Sequence, residues 1–182
     1  MVYCFLAPGF EEIEALATVD ILRRANIEVL TVGVGEDVII GSHQIPVLAD
    51  IREGDVKLDS SLEAVILPGG MPGTLNLEKS TAVQKAINWA LENDKLICAI
   101  CAAPSILGHK GLLEGKKATC FPGFEEELFG AEVSKDFVVK DGNFITAKGM
   151  GSAIEFGLQI AEVLTNPLEV KKIRASLQIY NG

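Results

Sequence analysis

The residue whose type and setting most strongly suggest chemistry is Cys101. An apolar, strand-like run over 95–100 ends there, and Ala102, Ala103 and Pro104 follow in a helical stretch over 101–107. An abrupt strand-to-helix bend exposes the side chain at its corner. It also aims the positive end of the helix at that side chain, which favours thiolate over thiol and predicts a lowered pKa. The pattern alone leaves a second reading open, a buried cysteine that only packs. Cys98 completes the sequence C-A-I-C, but it falls inside the strand. Its odd separation from Cys101 predicts the opposite face of the sheet, so it reads as core, as does Cys4. Cys120, at a strand end, reads as packing, with a redox or pocket-lining role as the lesser alternative.

Three carboxylates, Glu11, Glu12 and Glu14, open a helical stretch over 11–26. Glu11 and Glu12 read as solvated acids that complement the helix dipole. Glu14, one turn in beside Ile13 and Ala17, sits where a carboxyl could point toward the strand ends, a reading that the pattern alone leaves open. A carboxyl held beside a thiolate has its pKa raised by burial and like charge; protonated, it donates to the sulfur and relays protons. Gly69-Gly70 offers backbone N–H groups for an oxyanion, with a plain tight turn as the alternative. Gly149-Met150-Gly151 lacks the full G-x-G-x-x-G context and reads as a helix start. The two histidines, His43 and His109, show no zinc-type spacing, so no metal is expected. His109 reads as a surface or capping residue.

These residues need a scaffold that brings several strand ends together. Apolar runs over 2–7, 27–34, 63–67, 95–100, 117–120, 137–140 and 144–147 alternate with helical patterns over 11–26, 81–93, 101–107, 152–164 and 168–177. Residues 38–48 have the texture of a hairpin, an antiparallel addition to the main sheet. The alternation predicts an α/β fold with a mostly parallel sheet covered by helices on both faces. Ligands in such folds bind beyond the carboxyl ends of the strands, where Glu14, Gly69-Gly70 and Cys101 fall. With no linker, repeat or low-complexity tract, residues 1–182 read as a single domain.

Composition narrows the function classes. The chain has 16 Lys+Arg against 25 Asp+Glu, a net charge of −9, and a pI near 4.7. That balance removes the electrostatic footprint of nucleic-acid binding. Apolar runs of strand length argue against a membrane span, and the first residues lack the basic region of a secretory signal. A cytoplasmic chain with reduced cysteines is the expectation. At 6% aromatic residues there is little material for stacking platforms.

The segments L-A-P-G-F-E-E-I-E-A (6–15), D-I-L-R-R-A-N-I-E-V (20–29), V-I-L-P-G-G (65–70), A-I-C-A-A-P (99–104) and G-M-G-S-A-I-E-F-G-L (149–158) together resemble the ThiJ/PfpI superfamily, and within it the DJ-one/YajL branch. The resemblance covers almost the whole chain. It implies a flavodoxin-like, class I glutamine-amidotransferase-like three-layer sandwich that forms homodimers and needs no cofactor. It further implies that Cys101 is the nucleophile, Glu14 its protonated partner, and Gly70 and Ala102 the amide donors of the pocket. Arg24 would be a structural or interface residue.

Two departures stand out. Phe121 occupies the place where animal members carry a histidine, as in the bacterial YajL type, whose ending Ile179-Tyr180-Asn181 also resembles. His43 stands where an arginine is expected, which makes that cation pH-dependent.

The function implied is glyoxalase- or deglycase-like conversion of reactive carbonyls, 2-oxoaldehydes or glycated proteins, with a role in oxidative stress. The alternative is a redox sensor or chaperone in which Cys101 is oxidised to sulfinate. A hydrolase or peptidase is weaker still, because Ala102, not histidine, follows Cys101.

Overall fold

The computed structural model describes residues 1–178, so Ile179-Tyr180-Asn181 lies outside the described residues. In chain order the elements are β1 (Val2–Leu6), α1 (Glu12–Arg24), β2 (Val29–Gly33), β3 (Val38–Ile40), β4 (Pro46–Leu48), β5 (Ile51–Arg52), β6 (Ala64–Leu67), α2 (Gly73–Lys79), α3 (Thr81–Glu92), β7 (Leu96–Ile100), α4 (Pro104–His109), β8 (Lys117–Ala118), β9 (Glu132–Val133), β10 (Val138–Asp141), β11 (Phe144–Ala147), α5 (Ala153–Leu164) and α6 (Pro167–Ser176). The main sheet has seven strands in the order β10-β11-β7-β6-β1-β2-β5. Every pair is parallel except β10 with β11.

The apolar runs become strands because both faces of the sheet are covered. In β1, Val2, Cys4 and Leu6 pack with Leu22 of α1 and Phe156 and Ile160 of α5. Tyr3 and Phe5 pack on the other face with Leu77 of α2, Ile87 of α3 and Ile106 of α4. Three layers result, with a core on each side of the sheet. Close approach of α1 and α5 depends on Gly157, where a Cβ would stand 3.1 Å from the Ile21 Cδ1 atom.

Several expectations are corrected. The 38–48 hairpin forms its own two-stranded sheet, β3 with β4, and does not extend the main one; the edge beside β2 is taken by the short β5. The run over 117–120 yields only β8, paired with β9 in a second small sheet. Helix α2 lies where a turn was expected, because Pro72 and Gly73 signal a break. It is held by burial of Gly73, Thr74 and Leu77 rather than by propensity.

Helix α1 inverts its pattern at its first turns. Glu12 and Glu14 are buried while Ile13 is half exposed and Leu16 more than a third exposed. Cys98 packs in the same core layer that Cys101 abuts, not on the opposite face. Parity counting fails there because the chain leaves extended geometry at Cys101.

Candidate active site

The parallel strands run β5-β2-β1-β6-β7-β11, the chain-order pattern 3-2-1-4-5-6, so the order reverses between β1 and β6. That crevice is the favoured ligand position of open α/β sheets. The segment after β1 supplies Glu11 and Glu14, the segment after β6 supplies Gly69 and Gly70, and β7 supplies Cys101 beside them.

Cys101 has φ +67°, a left-handed conformation unusual for a residue with a side chain. It is fixed from both sides: its N–H donates to the Ala147 carbonyl at 2.9 Å, and its carbonyl accepts from the Phe121 N–H at 2.8 Å. A strained backbone held by its neighbours at a strand end is the geometry that presents a nucleophile. The backbone N–H groups of Gly70 and Ala102 are directed at the sulfur. Only glycine fits at 69, where a Cβ would lie 2.5 Å from the Cys101 Cβ and 2.7 Å from the Glu14 Oε2.

Glu14 is 1% exposed. Its Oε2 accepts from the Gly69 N–H at 2.9 Å, and its carboxyl is also hydrogen-bonded to Cys101 and the Met150 N–H. Glu11 caps the helix through a 2.7 Å bond from the Glu14 N–H to its Oε2. The Glu11 N–H donates to the Gly69 carbonyl at 2.9 Å, joining the start of α1 to the end of β6. Gly69 therefore positions Glu14 instead of serving as an oxyanion donor, and Met150 is a site contact that reading its segment as a helix start did not reveal.

Burial pushes Glu14 up to about 7, against the pull of Cys101 and the two N–H donors. Burial also pushes the Cys101 thiol up to about 12, with the charge of Glu14 and its hydrogen bond adding, while the Gly70 and Ala102 N–H groups oppose. The lowered thiol pKa expected from the helix dipole is thus countered: α4 has only six residues and starts three positions after Cys101. The two groups titrate as a pair that loses one proton near neutrality and holds the second strongly. Between those steps one negative charge and one proton are shared. Two N–H groups face each partner, those of Gly70 and Ala102 the sulfur and those of Gly69 and Met150 the carboxyl, so either placement of the shared proton leaves the charged group hydrogen-bonded.

The remaining sequence candidates are distributed more widely. His43 donates its N–H to Glu12 Oε1 at 2.7 Å, and its Nδ1 meets Glu12 Oε2 at 3.0 Å. Glu12, read as solvated, is instead buried in this contact. Together with Glu11 these groups could hold a cation, with ligand atoms within 4.8 Å of one another. The hydrogen bonds already account for the grouping. Phe121 lies against Gly149 at the edge of the Glu14 pocket. Arg24, ten residues beyond Glu14 along α1, or about 15 Å of helix, pairs with Asp20 and takes no part in the site. His109 lies between Glu78 and Glu127, so neither histidine is engaged with Cys101. All four cysteines are free, and Cys101 alone is not fully buried.

No helix among the described residues is long and apolar enough to cross a membrane. A profile of the DJ-1/PfpI family matches residues 1–163. The chain is 37% identical to Protein dj-1beta of Drosophila melanogaster over 97% of its own length and 96% of that protein. It is 31% identical to the glutathione-independent glyoxalase DJR-1.2 of Caenorhabditis elegans, over 86% of this chain and 84% of that one. The crystal structure of Drosophila DJ-1beta superposes with a TM-score of 0.92 at 34% identity, covering 98% of this chain and 97% of the other.

Proposed function

The chain belongs to the DJ-1/PfpI family, and from that premise we propose that it is a cofactor-independent thiol enzyme converting 2-oxoaldehydes such as methylglyoxal to 2-hydroxy acids. The observation that carries this reading is the buried, hydrogen-bonded pair of Cys101 and Glu14 under the N–H groups of Gly70 and Ala102. The relative named as a glutathione-independent glyoxalase supports it.

In this reading the sulfur adds to the aldehyde carbon, and the new alkoxide is met by the two N–H groups and protonated by Glu14, giving a hemithioacetal. Glu14, now a carboxylate with a pKa near neutrality, removes the proton from that carbon and returns it to the neighbouring carbon. The proton on the hemithioacetal oxygen passes to the neighbouring oxygen, so the ketone becomes the hydroxyl and the sulfur is left on a thioester. Water cleaves the C–S bond, releasing the hydroxy acid and restoring the thiol. No electrons are needed from outside: one water is consumed for each 2-oxoaldehyde. With a glycated amine or protein the same addition ends in release of the amine. Lactate formation from methylglyoxal tests the reading; it disappears in Cys101→Ser.

A second reading has its own support. Cys101 is half-buried, whereas Cys4, Cys98 and Cys120 are buried, so oxidation in a stress-sensing or chaperone role would be confined to one thiol. Mild peroxide followed by mass spectrometry is expected to place two oxygens on Cys101 alone; spread over all four cysteines contradicts it.

The homodimer implied by the family is part of the proposal. Ile13 and Leu16 of α1 and Ile154 of α5 are exposed, apolar surface that a second copy would cover. Sedimentation should give twice the chain mass, and Ile13→Lys should weaken the dimer.

A further inference from the structure

Beside the Cys101–Glu14 pair lies an open cleft of about 440 Å³ whose walls include Phe121, Pro122, Phe137, Lys148 and Met150. It adjoins the site across the backbone of Phe121 and of Gly149-Met150. The Phe121 N–H donates to the Cys101 carbonyl, and Met150 donates its N–H to Glu14. Between them, a Cβ on Gly149 would stand 3.2 Å from the Phe121 ring and 3.6 Å from the Glu14 Oε1.

Three large apolar side chains are left in water here: Phe121 is 48% exposed, Met150 55% and Phe137 70%. Polar groups are scarce. The Ser152 hydroxyl is committed to the Gly149 carbonyl at 2.8 Å. Lys148 places its ammonium 5.2 Å from the centre of the Phe137 ring.

We propose that this cleft receives the carbon substituent of the carbonyl substrate, so that the site selects 2-oxoaldehydes carrying an aromatic or bulky apolar group over glyoxal and over sugar-derived, polyhydroxylated ones. The inference rests on the thiol-enzyme reading and names the substrate class it acts on. A benzene ring is held by a cavity of roughly 150 Å³, so the space suffices for an aryl group with its carbonyl carbon at the sulfur. Aromatic walls with few free donors reward an apolar substituent by removing its surface from water. They penalise hydroxyls, which would lose their water partners without replacement.

Two measurements test this together. The first is kcat/KM for phenylglyoxal and glyoxal in the wild type, Phe137→Ala and Phe137→Tyr. The second is the rate of Cys101 alkylation by phenacyl bromide against bromoacetone, each normalised to free cysteine. Phe137 is largely exposed, so its truncation leaves both cores intact. The expected result is a preference of about tenfold or more for the aryl compound in both measurements, a difference of about 1.4 kcal/mol. That preference is largely lost in Phe137→Ala and kept in Phe137→Tyr. Equal rates, or a preference indifferent to Phe137, overturn the assignment, as they would if another chain covered the cleft. Should neither aldehyde turn over, the enzyme reading fails, and the alkylation ratio alone decides whether the cleft takes the aryl group.

Discussion

Glu14 is unusual in being a carboxyl at the start of a helix that faces inward, and its surroundings fix what changes nearby will do. A Cβ at Gly69 would overlap both the Cys101 Cβ and the Glu14 Oε2. Gly69→Ala is therefore expected to lower turnover at least a hundredfold and to destabilise the fold by about 1–3 kcal/mol, read by kinetics and urea unfolding. Glu14 itself makes stability pH-dependent. Its folded pKa of about 7 lies above the ordinary 4.5, so the folded state holds this proton more tightly than the unfolded chain. The benefit is complete below the unfolded value and is lost as pH rises through about 7, by about 3 kcal/mol at most. Glu14→Gln removes that dependence, so unfolding at pH 5 and pH 8 should show the variant gaining on the wild type as pH rises. The strand-to-helix junction at Cys101 and the acid one turn into a helix are local signals that singled out both residues, while their pairing came from the family resemblance. Met150 was not legible, since its contribution is a backbone N–H whose aim depends on α1 and β11 meeting in space.

The elements around the site are held by contacts between segments distant in sequence. His109, at the end of α4, has its Nδ1 2.6 Å from Glu78 Oε1 on α2 and its Nε2 2.8 Å from Glu127 Oε2, in the segment that follows Phe121. Both ring nitrogens can donate only in the imidazolium, and the two carboxylates, Glu78 foremost, raise its pKa. With the folded pKa above the unfolded one, this clamp stabilises fully below the unfolded value and is lost as pH rises through the folded one. His109→Gln should cost roughly 0.5–1 kcal/mol near pH 6, a solvent-screened amount, and the gap should close in alkaline solution. Periodicity located the strands and long helices well, because their burial is continuous. It misplaced the hairpin, whose partner is a tertiary matter. It also missed α2, whose Pro and Gly speak for a turn while its buried Leu77 speaks for a helix.

For the whole molecule, strand–helix alternation was enough to predict the three layers. Right-handed crossovers leave few ways to wind such a chain, and the reversal of strand order between β1 and β6 then gathers three separate segments at one crevice. What alternation could not reveal is which apolar residues remain outside. Ile13 and Leu16 sit at helical spacing with the core residues of α1, yet the buried glutamates displace them to the surface. The fold gives up part of the apolar face of its first helix to hold Glu12 and Glu14 inside, and Glu14 thereby meets Cys101.

The most direct test is lactate formation from methylglyoxal between pH 5 and 9 for the wild type, Cys101→Ser and Glu14→Gln. Because the pair must lose its first proton to act, the wild-type rate should rise through an inflection near pH 7. Cys101→Ser should be inactive, and Glu14→Gln should fall about a hundredfold or more and lose the inflection. Lactate formation by Cys101→Ser, or an inflection near pH 7 that survives Glu14→Gln, would contradict a proton-sharing thiol and carboxyl as the catalytic centre.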